Sequence, residues 1–207
     1  YTLDNYKFVL SPEDHSVNKD SKLSTVSDSQ LHQRASVQAK RVPISIKNSI
    51  IIGVIVTFIN VVFGTLAGYS FSRTNHRLMR SSLWVLMLTR MTPSLALILP
   101  FFMIFRKLGI IDTHLALIIA YCSLILPLST WLMKSYFEGI PKNIEKAAQI
   151  DGCNKINVLL KVVIPLATPG IVATAIFCFL VSWNEFIFAL ILTGTPKSQT
   201  IPIIIAG

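Results

Sequence analysis

Between Asn48 and Ser72 the chain carries no charge, and the core of that stretch, Ser49 to Gly68, is almost wholly apolar. At 1.5 Å per helical residue, a run of about 20 residues crosses the roughly 30 Å of hydrocarbon in a bilayer. Three more runs of this kind follow. The pattern predicts spans over about 49–71, 82–105, 113–133 and 169–193, the second interrupted by Arg90, Pro93 and Pro100, the third holding Pro127 and the fourth Glu185. Prolines are tolerated inside spans because neighbouring helices and Ser or Thr side chains take up the freed carbonyls. Residues 1–42 differ in kind. They hold seven Ser, five acids and six Lys or Arg with no sustained apolar period, and are expected to form an exposed polar segment, largely loop.

The expected fold is therefore all-α, a polytopic transmembrane helical bundle, divided into the polar segment 1–42 and a transmembrane domain 43–207. The chain opens at Tyr1 and stops inside the apolar run Ile201–Ala206, so we expect a fragment with about four complete spans. Gly64 and Gly68 form a G-x-x-x-G pair, read either as a close helix crossing or as chance in a Gly-containing span.

Composition sharpens this picture. Of 207 residues, 52% are hydrophobic and only 14% charged, with a mean hydropathy of +0.60; a soluble domain keeps about a quarter charged. The net charge of +9 does not argue for nucleic acid, because the cations fall between the apolar runs, where membrane topology collects them. Three scattered Cys supply neither a disulfide framework nor a zinc signature. Links one and three carry more Lys and Arg (73, 77 and 80; 134, 142, 146, 155 and 161) than link two (106 and 107), which predicts them to be cytoplasmic, with 1–42 and the segment after Thr193 outside.

The third link, 134–168, is too long for a turn. Pro141 suits the first turn of a short helix through Ile150, Gly152 suits its stop, and Asn154 suits the cap of a second helix. In that second helix Ile156, Leu159, Leu160 and Val163 would share one apolar face until Pro165 ends it. The small pair Ala147–Ala148, rimmed by Glu145, Lys146 and Asp151, fits either a docking surface for a rigid partner or an amphipathic pair on the lipid surface.

The run Glu145-Lys146-Ala147-Ala148-Gln149-Ile150-Asp151-Gly152, followed after nine residues by Val162-Val163-Ile164-Pro165, resembles the EAA loop of ABC importer permeases. Five further patches resemble the carbohydrate branch, of the maltose-permease type: Thr2–Tyr6, Ala67–Arg73, Leu108–Thr113, Tyr136–Pro141 and Trp183–Phe186, with Asn48-Ser49 besides. The resemblance implies a non-catalytic permease subunit of an importer in a bacterial or archaeal plasma membrane, importing a sugar. It implies as partners a cytoplasmic ABC ATPase dimer that binds the ATP, a second homologous permease and an extracytoplasmic solute-binding protein, and one span before Tyr1 and one after Gly207. It makes Glu145, Lys146, Ala147, Ala148, Asp151, Gly152 and Pro165 the docking residues. One departure stands out: the family's Glu before Ala-Ala falls at Lys146, with Glu145 one residue earlier, which turns the negative charge by about 100° on a helix.

The chain has no G-x-x-x-x-G-K-[ST] to cradle a nucleotide, so neither catalysis nor a bound cofactor is expected, and the driving energy comes from a partner. The alternatives are a gradient-driven secondary transporter or channel, which needs no structured third link, or an importer of a non-sugar solute. Charges within spans are costly and tend to pair or to line wet cavities. Arg90, Asn184 and Glu185 are accordingly candidates for the translocation path. Against this, Arg90 also suits an interhelical brace, Glu185 packing with Trp183 at the interface, and Asn184 with Trp183 an interfacial belt. Phe101, Phe102 and Phe105 are expected to face lipid, and His76 and His114 to be solvated.

Overall fold

The computed structural model describes the backbone of residues 26–74 and 76–206, and the side chains of those from Arg41 onward except at 78–80 and 94. Every regular element among the described residues is helical. In chain order these are α1 (Val26–Arg73), α2 (Arg77–Met91), α3 (Ser94–Lys107), α4 (His114–Glu138), α5 (Lys142–Ile150), α6 (Lys155–Val158), a π-helical turn (Leu159–Val163), α7 (Ile164–Trp183), α8 (Ile187–Leu192) and α9 (Ile201–Ala206). Among the described residues three stretches are long and apolar enough to cross a membrane: Arg41–Arg73, His114–Glu138 and Lys155–Trp183. The pair α2 and α3 makes a fourth if taken as one broken span, bent by 95°. The fold is thus a polytopic helical bundle, as its apolar periodicity predicts.

Its departures from the sequence pattern have physical causes. The polar residues 26–42 are not a loop: α1 begins at Val26. Gln, Ala, Lys and Arg are good helix formers, and a turn added to an existing helix avoids the nucleation cost. Residues 1–25, with the Thr2–Tyr6 patch, lie outside the described residues, as does the side chain of Arg80. The second span is not one helix, because Pro93 has no N–H to donate and keeps Thr92 out of the α region, so the chain turns sharply between Met91 and Ser94. The third span runs on to Glu138, which shortens the connecting elbow to 139–154.

Pro165 does not end the helix it was expected to end. The preceding turn widens to π geometry, with the Ile164 N–H donating to the Leu159 carbonyl, and the added room relieves the clash between a proline ring and the carbonyl four residues back. The wide turn also moves the buried face. Val158, Val163 and Ala167 are fully buried, while Ile156 and Leu160 are 67% and 55% exposed.

Small residues allow the spans to approach closely. A Cβ on Gly64 would lie 2.8 Å from Ser129 Oγ of α4, and one on Gly68 would lie 2.8 Å from the Lys134 backbone nitrogen. The G-x-x-x-G pair is therefore a helix crossing, within this chain, between α1 and α4. Two buried clusters flank it. One holds Ile52, Val56, Leu117, Tyr121, Ile125 and Phe188; the other, toward the elbow, holds Met133, Phe137, Val158, Val163 and Ala167. Phe105 is 3% exposed in the first cluster and Phe101 stacks edge-on to Phe188, so neither faces lipid as expected.

At the end of the bundle away from the elbow, Asp112 fastens two loops together. It takes a left-handed φ of 63°, a conformation Asp tolerates better than most residues. Its carboxylate accepts from the Gly194 N–H (2.8 Å), the Thr195 N–H (3.0 Å), the Thr195 hydroxyl (2.7 Å) and the Ser198 hydroxyl. Asn48 Nδ2 donates to the carbonyls of Lys197 and Gln199, and His114 Nε2 lies 3.1 Å from the Lys197 carbonyl, so His114 is engaged rather than merely solvated. Partial burial works to raise the Asp112 pKa, but the bonds from Ser198, Thr195 and Gly194 outweigh it and hold the carboxyl below its ordinary 3.8. A depressed folded-state pKa gives stability that is present above the ordinary value and lost as the pH falls below it. Asp112→Asn is expected to lower the melting temperature in detergent by about 2–4 °C at pH 7, with the gap to the unsubstituted protein closing as the pH is taken below 3.8. A gap that persists unchanged in acid would show that charge is not what Asp112 contributes.

Candidate functional site

The elbow, 139–154, stands where α1 ends, opposite the Asp112 loops. Pro141 precedes α5, and the helix closes in a Schellman arrangement: the Gly152 N–H donates to the Gln149 carbonyl and the Cys153 N–H to the Ala148 carbonyl. Gly152 has φ +88°, which a side chain would strain, with nothing within 4 Å of where a Cβ would sit. Asn154 then caps the next helix, its side-chain oxygen accepting from the Asn157 N–H at 2.8 Å.

The helix presents an inverted surface. Its one buried residue is an acid, Glu145, at 7% exposure, while Ile144 and Ile150 are 39% and 86% exposed. Lys146, Ala147, Gln149, Asp151 and Gly152 are exposed beside them and Ala148 is half-buried. Glu145 therefore does not belong to an exposed rim, as its sequence position suggested. It is turned inward, with Arg73 Nε at 2.6 Å and Nη2 at 2.5 Å from Oε1, and the Tyr69 hydroxyl donating to Oε2 at 3.0 Å. Arg73 also donates to the Ile140 carbonyl at 3.3 Å and lies over the Tyr69 ring. Pro165 sits apart from this surface, on α7 beyond the π turn. In the sequence Arg73 enters as a topology cation and as the end of the Ala67–Arg73 patch, not as a partner of the elbow; the signal available is the spacing of Tyr69 and Arg73, four residues apart on one helical face.

A second feature lies within the bundle. A cavity of about 420 Å³ is lined by Arg90, Glu185, Tyr121, Thr89 and Ser123, among others. Arg90, in the last turn of α2, donates to the Leu124 carbonyl at 3.0 Å. Glu185 falls in the break between α7 and α8, where its carboxylate accepts from the N–H groups of Phe188 (3.1 Å) and Ala189 (3.3 Å). Capping the new helix gives this acid polar partners inside an apolar layer. Tyr121, 1% exposed, brings its hydroxyl near Glu185 and Thr200. Asn184 is not brought into the lining: its amide donates to the Leu180 carbonyl of its own helix at 2.7 Å. The structure thus gathers Arg90 and Glu185 at one cavity and adds Tyr121, which reads as a plain core residue in the sequence. Among the described residues no cluster of His, Cys, Asp or Glu could hold a metal ion.

Residues 49–207 match the family described as the binding-protein-dependent transport system inner membrane component. Over 97% of its length the chain is 37% identical to the trehalose transport system permease protein SugB of Mycobacterium tuberculosis, covering 73% of that protein. It is 38% identical over 79% of its length to the trehalose/maltose transport system permease protein MalG of Thermococcus litoralis, covering 59% of it. Among solved structures, a bacterial ABC transporter involved in the import of the acidic polysaccharide alginate superposes with a TM-score of 0.62 at 28% identity, over 79% of this chain and 56% of that one. The chain thus spans somewhat more than half the length of the latter two.

Proposed function

The chain belongs to the family of binding-protein-dependent transport system inner membrane components, and from that premise we propose that it is a membrane-spanning subunit of an ATP-driven importer that carries a sugar across the plasma membrane. The observation that carries the reading is the inverted helix α5, whose apolar residues face outward while its acid is buried. A helix that exposes Ile144, Ala147 and Ile150 on three successive i, i+3 positions offers a partner an apolar ridge. Ala147 admits close approach, and Lys146 and Asp151 supply a charged rim.

The partner in this reading is a cytoplasmic ATPase dimer, whose closure on ATP rocks the spans about the cavity lined by Arg90 and Glu185. A second permease subunit and an extracytoplasmic binding protein complete the assembly, with the elbow in the cytoplasm and the Asp112 loops outside. Arg90 and Glu185 then offer donors and acceptors to a polyhydroxylated solute, with Tyr121 beside them. The sugar assignment draws on the similarity to the trehalose and trehalose/maltose permeases. A gradient-driven carrier would leave the exposed ridge of α5 without a use.

A photo-crosslinker placed at Ala147 in native vesicles is expected to capture a nucleotide-hydrolysing protein, whereas the same probe at Leu99, which is 65% exposed within α3, captures none. Repeated failure at Ala147 in vesicles that import sugar would remove the docking role.

A further inference from the structure

We propose that the largely buried Arg73–Glu145 pair, completed by Tyr69, is a mechanical strut that makes the docking helix α5 and the first span α1 move as one body. The inference rests on the reading of α5 as the surface that receives an ATPase. By covalent connection α5 belongs with α4, which precedes it, and with the α6–α7 span, which follows it. α1 lies 72 residues away in sequence at this contact, so motion of the elbow reaches it only through packing or through polar bonds.

The packing available is slight. Of the nine residues of α5 only Glu145 is buried, and in the nearby apolar cluster the helix is represented by Ala148 alone. The polar bonds are strong and directional. Both oxygens of Glu145 are engaged, one by two nitrogens of Arg73 and the other by the Tyr69 hydroxyl, and the ion-paired side chains are 14% and 9% exposed. Arg73 reaches on to the Ile140 carbonyl at the entrance to the elbow, so one guanidinium holds the helix and its hinge together. Out of water such a pair resists separation, because parting the partners strands a buried charge. An apolar contact would tolerate sliding; charge-assisted hydrogen bonds from a guanidinium do not. Glu145 is thus a positioning residue, acting through Arg73 on a span it is not linked to in sequence.

The test uses the full chain in its complex with ATPase, sister permease and binding protein, reconstituted in vesicles, with labelled trehalose and maltose as probes. Spin labels on exposed Leu66 of α1 and Gln149 of α5 follow the distance between the two helices. In the unsubstituted complex that distance is expected to stay constant on adding ATP. In Glu145→Gln it is expected to broaden and shift with ATP, hydrolysis continuing while solute moved per ATP falls about tenfold. The charge exchange Arg73→Glu with Glu145→Arg is expected to restore the ratio to within about threefold. A constant distance and an unchanged ratio in Glu145→Gln would overturn the strut. So would loss of assembly and import together, repaired by the exchange without any uncoupling, since the pair would then be a folding contact only. If the unsubstituted chain assembles with no ATPase, the reading of α5 as a docking surface fails and the strut fails with it, an outcome visible without any variant.

Discussion

Gly152→Asp is expected to abolish ATP-driven uptake, by at least about a hundredfold, while the protein stays inserted in the membrane at its normal level. The two halves of this prediction have separate origins. Nothing stands within 4 Å of the site, so the new side chain meets no atom. The local cost is the backbone strain of a non-Gly residue at φ +88°, about 1–2 kcal/mol, which a bundle held together elsewhere survives. What does not survive is the geometry of the turn. The Gly152 and Cys153 N–H groups close the last carbonyls of α5, and a second carboxylate beside Asp151 opposes the negative end of the helix dipole. The exposed ridge is then displaced from whatever grips it. Uptake assays in vesicles paired with immunoblots of the membrane fraction measure both halves; near-normal uptake would refute the docking role of the elbow, and loss of the protein from the membrane would mean that Gly152 serves folding instead.

The second large effect falls on the bundle. At Gly68 a Cβ would stand 2.8 Å from the Lys134 backbone nitrogen and from Met133 Cβ, and 3.0 Å from the Thr130 carbonyl oxygen. No flexible side-chain end is there to swing aside, so α1 and α4 must separate. Gly68→Ala is expected to cost about 1–3 kcal/mol, or roughly 2–4 °C of melting temperature per kcal/mol, and Gly68→Val is expected to yield little folded protein. Gly53→Ala is the comparison. Its nearest neighbour is the edge of the Phe179 ring at 2.9 Å, a side chain on a helix face that can shift, and the effect should be the smaller of the two. Thermal unfolding in detergent ranks the pair; equal losses would mean that the close crossing at Gly68 is not what holds the helices together.

How much of this was legible in the sequence depends on the range of the forces involved. The spans were readable because the bilayer imposes a length and a polarity that a run such as 49–68 either meets or fails. The elbow was readable because Pro141, Gly152 and Asn154 act on their own backbone. The π turn was not, since Pro165 reads as a stop until the tertiary packing of Val158, just before the wide turn, and Val163, its last residue, makes continuing the cheaper course. The orientation of Glu145 was equally hidden. Composition marks an acid on a short exposed helix as solvated, and only Arg73, 72 residues earlier, draws it inward. Tyr121 and the gathering of Arg90 with Glu185 depend in the same way on helices meeting across the bundle.

The π turn has a further consequence. A turn that takes in one surplus residue offsets the two lengths of helix on either side of it by roughly 100° about their shared axis. The direction in which the elbow points is therefore set by the count of residues from Leu159 to Val163, as a keyway sets the angle of a crank on its shaft. The exposed side chains in that turn, Leu160 and Lys161, can be exchanged with little effect on the angle, but a single residue gained or lost there would rotate the whole elbow away from Arg73 while leaving every residue of the span chemically unchanged.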